Sequence, residues 1–195
     1  MNPGDKDDIT AQIAARNGKT ILFVKTQRGA DRLCDKLAHA RVPVGALHGG
    51  KSQAVRTRTL ALFKDSANAA LVATDVAARG IHVDGITLVG HVDAPQDHKD
   101  YLHRSGRTAR AGESGAVVTL TTSKQQKSVS RLTSRAGVTP KSVSVTSLST
   151  DLMRITGAQE PSGIPYVAPF VENKGPSRGT RKPRPNSAQR RRRPR

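Results

Sequence analysis

The sequence has no tryptophan, and aromatic residues make up only 3% of it. A core with so few rings must rest on Val, Leu, Ile and Ala, which fits an α/β domain better than an aromatic-rich β-sandwich. There is a single cysteine, Cys34, so an internal disulfide and a cysteine-rich zinc site are both excluded. Cys34 sits on an apolar helical stripe and reads as a small core residue. No apolar run approaches the roughly 20 residues that span a bilayer. The first eight residues are polar and partly acidic, unlike a signal peptide. A cytoplasmic protein without a membrane partner is expected. Acidic residues are also scarce, 15 Asp and Glu against 33 Lys and Arg, for a formal charge of +18. An excess of that size suggests a polyanionic partner, and nucleic acid is the usual one.

The 195 residues suit one domain with an extension. The charge is concentrated at the end, where residues 171–195 hold ten Lys or Arg and one acid, Glu172. That stretch also carries Pro176, Pro183, Pro185 and Pro194, and it has too little apolar surface to offset its chain entropy. It is expected to be a disordered basic tail. Residues 149–170, with Pro161, Pro165 and Pro169, read as a linker that packs Ile164, Tyr166 or Phe170 onto the domain. Residues 1–148 are left as the domain itself.

Within it, strand-like and helix-like patterns alternate. Strands are expected at residues 20–24, 42–47, 69–73, 86–91 and 115–120, with residues 142–145 closing the sheet. Helices are expected at residues 28–40, from a Ser52 cap to about Phe63, from about Asp97, and at residues 123–135. The helix after Ser52 should pack Val55, Leu62 and Phe63. Such alternation implies a largely parallel sheet flanked by helices. Ligands on such sheets bind beyond the carboxyl ends of the strands.

The residues at those ends are chemically alike. The first strand is followed by Lys25, Thr26, Gln27, Arg28 and Gly29. The second is followed by His48, Gly49 and Gly50, then Gln53 and Arg56. After the third comes ATDVAARGI, residues 73–81, and after the fourth a helix carrying HRSGRTAR, residues 103–110. Hydroxyls, glycines and arginines are thus expected at one edge, a chemistry that suits phosphates. Gln53 and Arg56, three apart, should share a helix face. Arg107 and Arg110, also three apart, should point to one side near a helix end. Two converging guanidinium groups suit a phosphoryl group whose charge shifts in its transition state.

These motifs, in this order, resemble the C-terminal half of DEAD-box RNA helicases, bacterial members especially. The resemblance covers residues 9–145. ILFVKTQRGADRL resembles family motif IV, LHGGKSQAVRTRTLALF motif IVa, LVATDVAARGI motif V, and HVDAPQDHKDYLHRSGRTARAG the approach to motif VI and motif VI itself. The resemblance implies a RecA-like domain in which Thr26, Gly29, Gln53, Arg56 and Thr74 touch the RNA backbone, without reading bases. It implies that Arg107 and Arg110 are arginine fingers toward ATP, and that Gly80 lies near the nucleotide. Asp75 would organise its loop and an arginine, with Arg79 and Arg104 as structural partners. His103 would couple the nucleotide site to RNA. His82 stands where the family has an Asp against the ATP ribose, and an imidazole lacks that carboxylate's two acceptors. Ala109 stands where many members have Gly.

The other half of that machine is not in the sequence. Asn17, Gly18, Lys19 and Thr20 mimic the end of a P-loop, but Ile13 stands where its first glycine belongs, and the tetrapeptide precedes a strand. The chain is therefore expected to be a fragment, inactive alone, whose partners are RNA and an N-terminal RecA-like domain that binds ATP and Mg2+. No metal ligands are expected in the chain itself. The alternatives are a DNA-directed helicase of the same superfamily, separable by comparing RNA and DNA duplexes, and a non-enzymatic RNA-binding module acting through its tail, separable by deleting residues 171–195.

Overall fold

The computed structural model describes residues 1–110 and 112–162. After a short 3-10 turn, α1 (Lys6–Ala14) leads into β1 (Lys19–Phe23), α2 (Gln27–His39), β2 (Val44–Leu47), α3 (Gln53–Asp65) and β3 (Ala69–Ala73). Then come α4 (Asp75–Ala78), β4 (Ile86–His91), α5 (His98–Ser105), β5 (Ala116–Thr119), α6 (Gln126–Arg135) and α7 (Thr150–Thr156). The strands form one five-stranded sheet in the order β2-β3-β1-β4-β5, with every pairing parallel.

The strand sequences suit that position. β3 is apolar throughout and buried at every residue, as expected for a central parallel strand covered on both faces. Alternate residues of β1 and Val24 just after it feed two cores. Leu22 and Val24 pack with Ile9, Ile13, Leu33 and Leu37 of α1 and α2 on one face. Ile21 and Phe23 pack with Phe63, Ala77, Ala78 and Ile81 on the other. α2 buries Ala30, Leu33 and Leu37, a helical spacing, with Cys34 packed alongside. Burial, with the charge of Asp35 adding to it, pushes the Cys34 thiol up to about 12, which fits a packing role. In α3 the buried residues are Thr59 and Phe63, while Val55 and Leu62 are only partly covered.

Two expectations are corrected. Residues 142–145 add no strand, and β5 is the edge of the sheet among the described residues. Its Val143 and Val145 alternate like a strand, but Val145 packs against the first core as part of a coil. The domain also continues past residue 148. α7 buries Leu152, Ala158 follows it into the same core, and Gln12 of α1 accepts from Leu148 N at 2.9 Å. Arg16 donates to Thr156 O (2.7 Å) at the end of α7 and to Thr87 Oγ1 (2.6 Å) beside β4. These polar staples hold a segment whose prolines suggested a linker. Ile164, Tyr166, Phe170 and the basic stretch 171–195 lie outside the described residues. Among those described, no helix is long and apolar enough to cross a membrane.

Parallel register decides where the loops go. Leu47, Ala73, Phe23, His91 and Thr119 form one row across the sheet. The residues that follow them therefore leave along a single carboxyl rim. In that row His91 is fully buried, edge-on to the Phe23 and Tyr101 rings, with Nδ1 3.0 Å from Thr119 Oγ1 and Nε2 unpartnered. Burial, reinforced by the Arg104 charge and opposed by Asp75, lowers its pKa to about 3. The unfolded chain, with a histidine near its ordinary value of about 6.5, then binds more protons than the fold below that pH, so stability is lost on acidification. The unfolding free energy from urea titrations should fall as pH drops from roughly 6.5 toward 3, by up to about 1.4 kcal/mol per pH unit. His91→Phe should flatten this slope, and an unchanged slope would contradict the assignment.

Candidate phosphate-binding rim and arginine cleft

The rim loops of β2, β3 and β1 are neighbours in the sheet, and they carry Gln53, Arg56, Thr74, Thr26 and Gly29. Thr26 caps α2, its Oγ1 accepting from Gly29 N at 3.0 Å. The Gly29 amide is thus already satisfied by the cap. The Thr26 hydroxyl keeps its own proton for an acceptor, because a cap uses only a lone pair. Thr74 is buried and heads α4, yet its hydroxyl makes no capping bond. Gln53 and Arg56 occupy the first turn of α3, with Arg56 Nη1 donating to Gln53 Oε1 at 3.3 Å. Their shared face is confirmed.

Residues outside the expected set brace this rim. His48 Nδ1 accepts from Gly50 N (3.2 Å), so its Nε2 carries the proton that bonds Asp31 Oδ1 at 2.9 Å. Lys51 also reaches Asp31, at 3.1 Å. Burial would raise the Asp31 carboxyl, but these bonds outweigh it and hold it below its usual range. Asp93, at the end of β4, accepts from Lys25 N at 3.0 Å and Lys6 Nζ at 3.2 Å. A carboxylate just past a buried strand was the available signal for Asp93. Asp31, in mid-helix, gave none.

The arginines lie elsewhere. α5 starts at the rim but runs antiparallel to the strands, so its far end approaches the opposite edge of the sheet. Thr108, just beyond α5, donates to the carbonyl of Ile86 at the start of β4. The expectation of one shared edge is corrected: the rim continues into a flanking cleft lined by Phe23, Asp75, Ala78, His103, Arg104 and Arg107. Arg104 is the hinge between the two. It is 2% exposed and binds both Asp75 oxygens, Nε to Oδ1 at 2.6 Å and Nη2 to Oδ2 at 2.7 Å. Its Nη1 donates to Asp93 O at 2.7 Å, and the guanidinium lies 5.0 Å over the Phe23 ring. Asp75 is therefore an organiser, as the sequence suggested, and Arg104 is its arginine. Arg79 makes only a long, exposed ion pair with Asp100, 3.7 Å.

Arg107 Nη1 donates to Ile81 O at 3.0 Å, which ties it to the loop holding Gly80 and His82. Gly80 has φ +80, a left-handed conformation suited to glycine. His82 and His103 are exposed. Arg110 folds back, Nε to Gly106 O at 2.9 Å, and does not line the cleft. The two arginines are not aligned by helical spacing, because α5 ends at Ser105 and a turn follows. Burial and the nearby Arg110 charge both lower the Arg107 pKa. Neither arginine has a carboxylate partner among the described residues, so an anion in this cleft would relieve Arg107 directly. No group of His, Cys, Asp or Glu that could hold a metal stands together among the described residues.

The turn carries a strained residue. Ala109 has φ +55, a conformation that costs a non-glycine residue about 1–2 kcal/mol. It is pinned from the far side by Gly115, where a Cβ would lie 2.1 Å from Thr108 Oγ1. Ala109→Gly should stabilise the fold by about 1 kcal/mol in urea unfolding. A loss of stability would mean the turn is not left-handed in solution.

A parallel five-stranded sheet flanked by helices, with its loops gathered at one rim, defines a RecA-like domain. Residues 5–112 match the helicase conserved C-terminal domain, and the chain belongs to that family. It is 43% identical over 122 residues to the mitochondrial DEAD-box ATP-dependent RNA helicase 9 of Arabidopsis thaliana, covering 63% of this chain and 20% of that protein. DEAD-box ATP-dependent RNA helicase 53 of Oryza sativa is 44% identical over 115 residues, covering 59% and 19%. The chain thus spans about a fifth of the length of these relatives. Among solved structures, the E. coli DEAD-box protein SrmB, bound to regulator of ribonuclease activity A, superposes with a TM-score of 0.68 at 26% identity, covering 74% of this chain and 86% of that one.

Proposed function

We propose that the chain serves as the second RecA-like domain of an ATP-dependent DEAD-box RNA helicase. The observation that carries this reading is the Asp75–Arg104 pair, which joins the rim to the Arg107 cleft in one rigid unit. The rim side chains Thr26, Gln53, Arg56 and Thr74 would bind the sugar-phosphate backbone of RNA, with Gly29 supporting the Thr26 cap. Arg107 and Arg110 would neutralise charge on the phosphoryl group of ATP. That ATP and its Mg2+ would be held mainly by an N-terminal RecA-like domain. Gly80 and His82 would border the nucleotide, His82 with fewer acceptors than the family's carboxylate. His103, exposed in the cleft beside Arg104 and Arg107, would sense whether both sites are filled. Closure of the two domains would bend the bound strand and separate a short duplex. The wording of the motifs supports a bacterial member.

Because the rim reads backbone and not bases, a Gln53→Ala and Arg56→Ala double variant should weaken RNA binding about tenfold on every sequence, the usual worth of a lost charged hydrogen bond. Titration of unrelated oligonucleotides checks this, and a loss confined to one sequence would contradict it. The chain alone should turn over no ATP, and hydrolysis by it would refute the division of labour.

A further inference from the structure

The sequence has no Asp or Glu between Glu113 and Asp151, yet this stretch holds Lys124, Lys127, Arg131, Arg135 and Lys141. All five are exposed. Elsewhere in the domain, Lys6, Lys36, Arg104 and Arg154 each meet a carboxylate. None of the five does among the described residues. Three of them are ordered along α6, since Lys127, Arg131 and Arg135 recur every fourth residue and rise about 6 Å per step in single file. The opposite side of α6 buries Val129 and Thr133 and packs toward α5. Like charges at this spacing destabilise a helix. Lys127 in the first turn opposes the helix dipole while Arg135 in the last turn favours it, so the mutual repulsion is what remains, and no carboxylate among the described residues offsets it. The stripe therefore fits an external polyanion.

Its position says which one. β5 is parallel to the rest of the sheet, so α6 begins at the same carboxyl rim as Thr26 and Thr74. The end of β5 lies two strands beyond β1, about 10 Å along the rim. A backbone lying over β2, β3 and β1 and continuing in that direction meets Lys124 and Lys127 first, then the stripe. We propose that α6 is a second phosphate-binding surface, holding the RNA backbone where the strand passes beyond the rim at β5. This rests on the RNA reading of the rim.

The test uses the 195-residue chain and two uridine oligomers, one spanning only the β2-to-β1 rim and one several times longer. The Lys127→Gln, Arg131→Gln, Arg135→Gln variant should lose at least severalfold in affinity for the long oligomer and little for the short one. Its log-affinity against log-salt slope on the long oligomer should fall by about 2, at roughly 0.7 per single-strand phosphate contact. Arg131→Gln alone should lower that slope by about 0.7, which keeps the proposal testable if the triple variant folds poorly. Wild-type affinity and slope in the α6 variants would overturn it, as would equal losses on both lengths. The Gln53→Ala, Arg56→Ala variant, measured in parallel, reports on the rim reading separately.

Discussion

Asp75→Ala is expected to lower the unfolding free energy by about 3–5 kcal/mol, because it strands a buried guanidinium. Arg104 is 2% exposed and both Asp75 oxygens bond it, so water cannot replace the lost carboxylate. In a domain of this size the melting temperature should drop by roughly 10 °C. The pair as a whole is worth much less than its breakage, since taking two ions out of water offsets most of their attraction. Asp75→Leu combined with Arg104→Met should therefore be more stable than Asp75→Ala alone. Urea unfolding of the single and double variants checks both points. A single-variant loss under about 1 kcal/mol would mean the pair is solvated. The double variant should still impair function, because no polar bridge would then tie the β3 rim loop to α5 and the carbonyl of Asp93.

Arg107→Ala should reduce ATP turnover by a factor of roughly 10³ or more in a protein that also carries the first RecA-like domain, the usual worth of an arginine finger. RNA affinity should stay within a few fold, because Arg107 lies below the rim, on the Ile81 carbonyl. Arg107→Lys should not restore turnover, since an ammonium lacks the planar fork of donors. Arg110→Ala should have the smaller effect of the two, because Arg110 points outside the cleft and bonds its own turn at Gly106. Steady-state hydrolysis at saturating RNA, with filter binding alongside, separates these outcomes. Equal losses at both positions would mean that the turn rearranges when the domains close. Unchanged turnover in Arg107→Ala would remove the finger assignment.

Much of the fold could be read in advance because the decisive patterns are local. The runs at β3 and β4 are buried on both faces, and their expected bounds coincide with Ala69–Ala73 and Ile86–His91. Ser52 was legible as a cap, because a side-chain oxygen facing an amide three residues on is a short-range event; Asp97 was read only as a helix start and proves to cap it in the same way. The 142–145 segment misled for the same reason. Its alternation is real, but pairing with β5 depends on how the chain returns from α6. α7 was hidden because its anchors come from Gln12 and Arg16, more than a hundred residues earlier.

The sequence by itself determined the strand and helix order, the inventory of phosphate-suited side chains and the family that inventory resembles, since each is written in contiguous residues. Tertiary structure alone decided that the turn after α5 sets Arg107 in a cleft flanking the rim, that Arg104 directs its charge to Asp75, and that the α6 cations stand without a carboxylate partner among the described residues near the same edge. Those outcomes depend on strand register and on the direction in which each helix returns across the sheet, and distance in space between residues far apart in the chain is fixed only when the sheet closes.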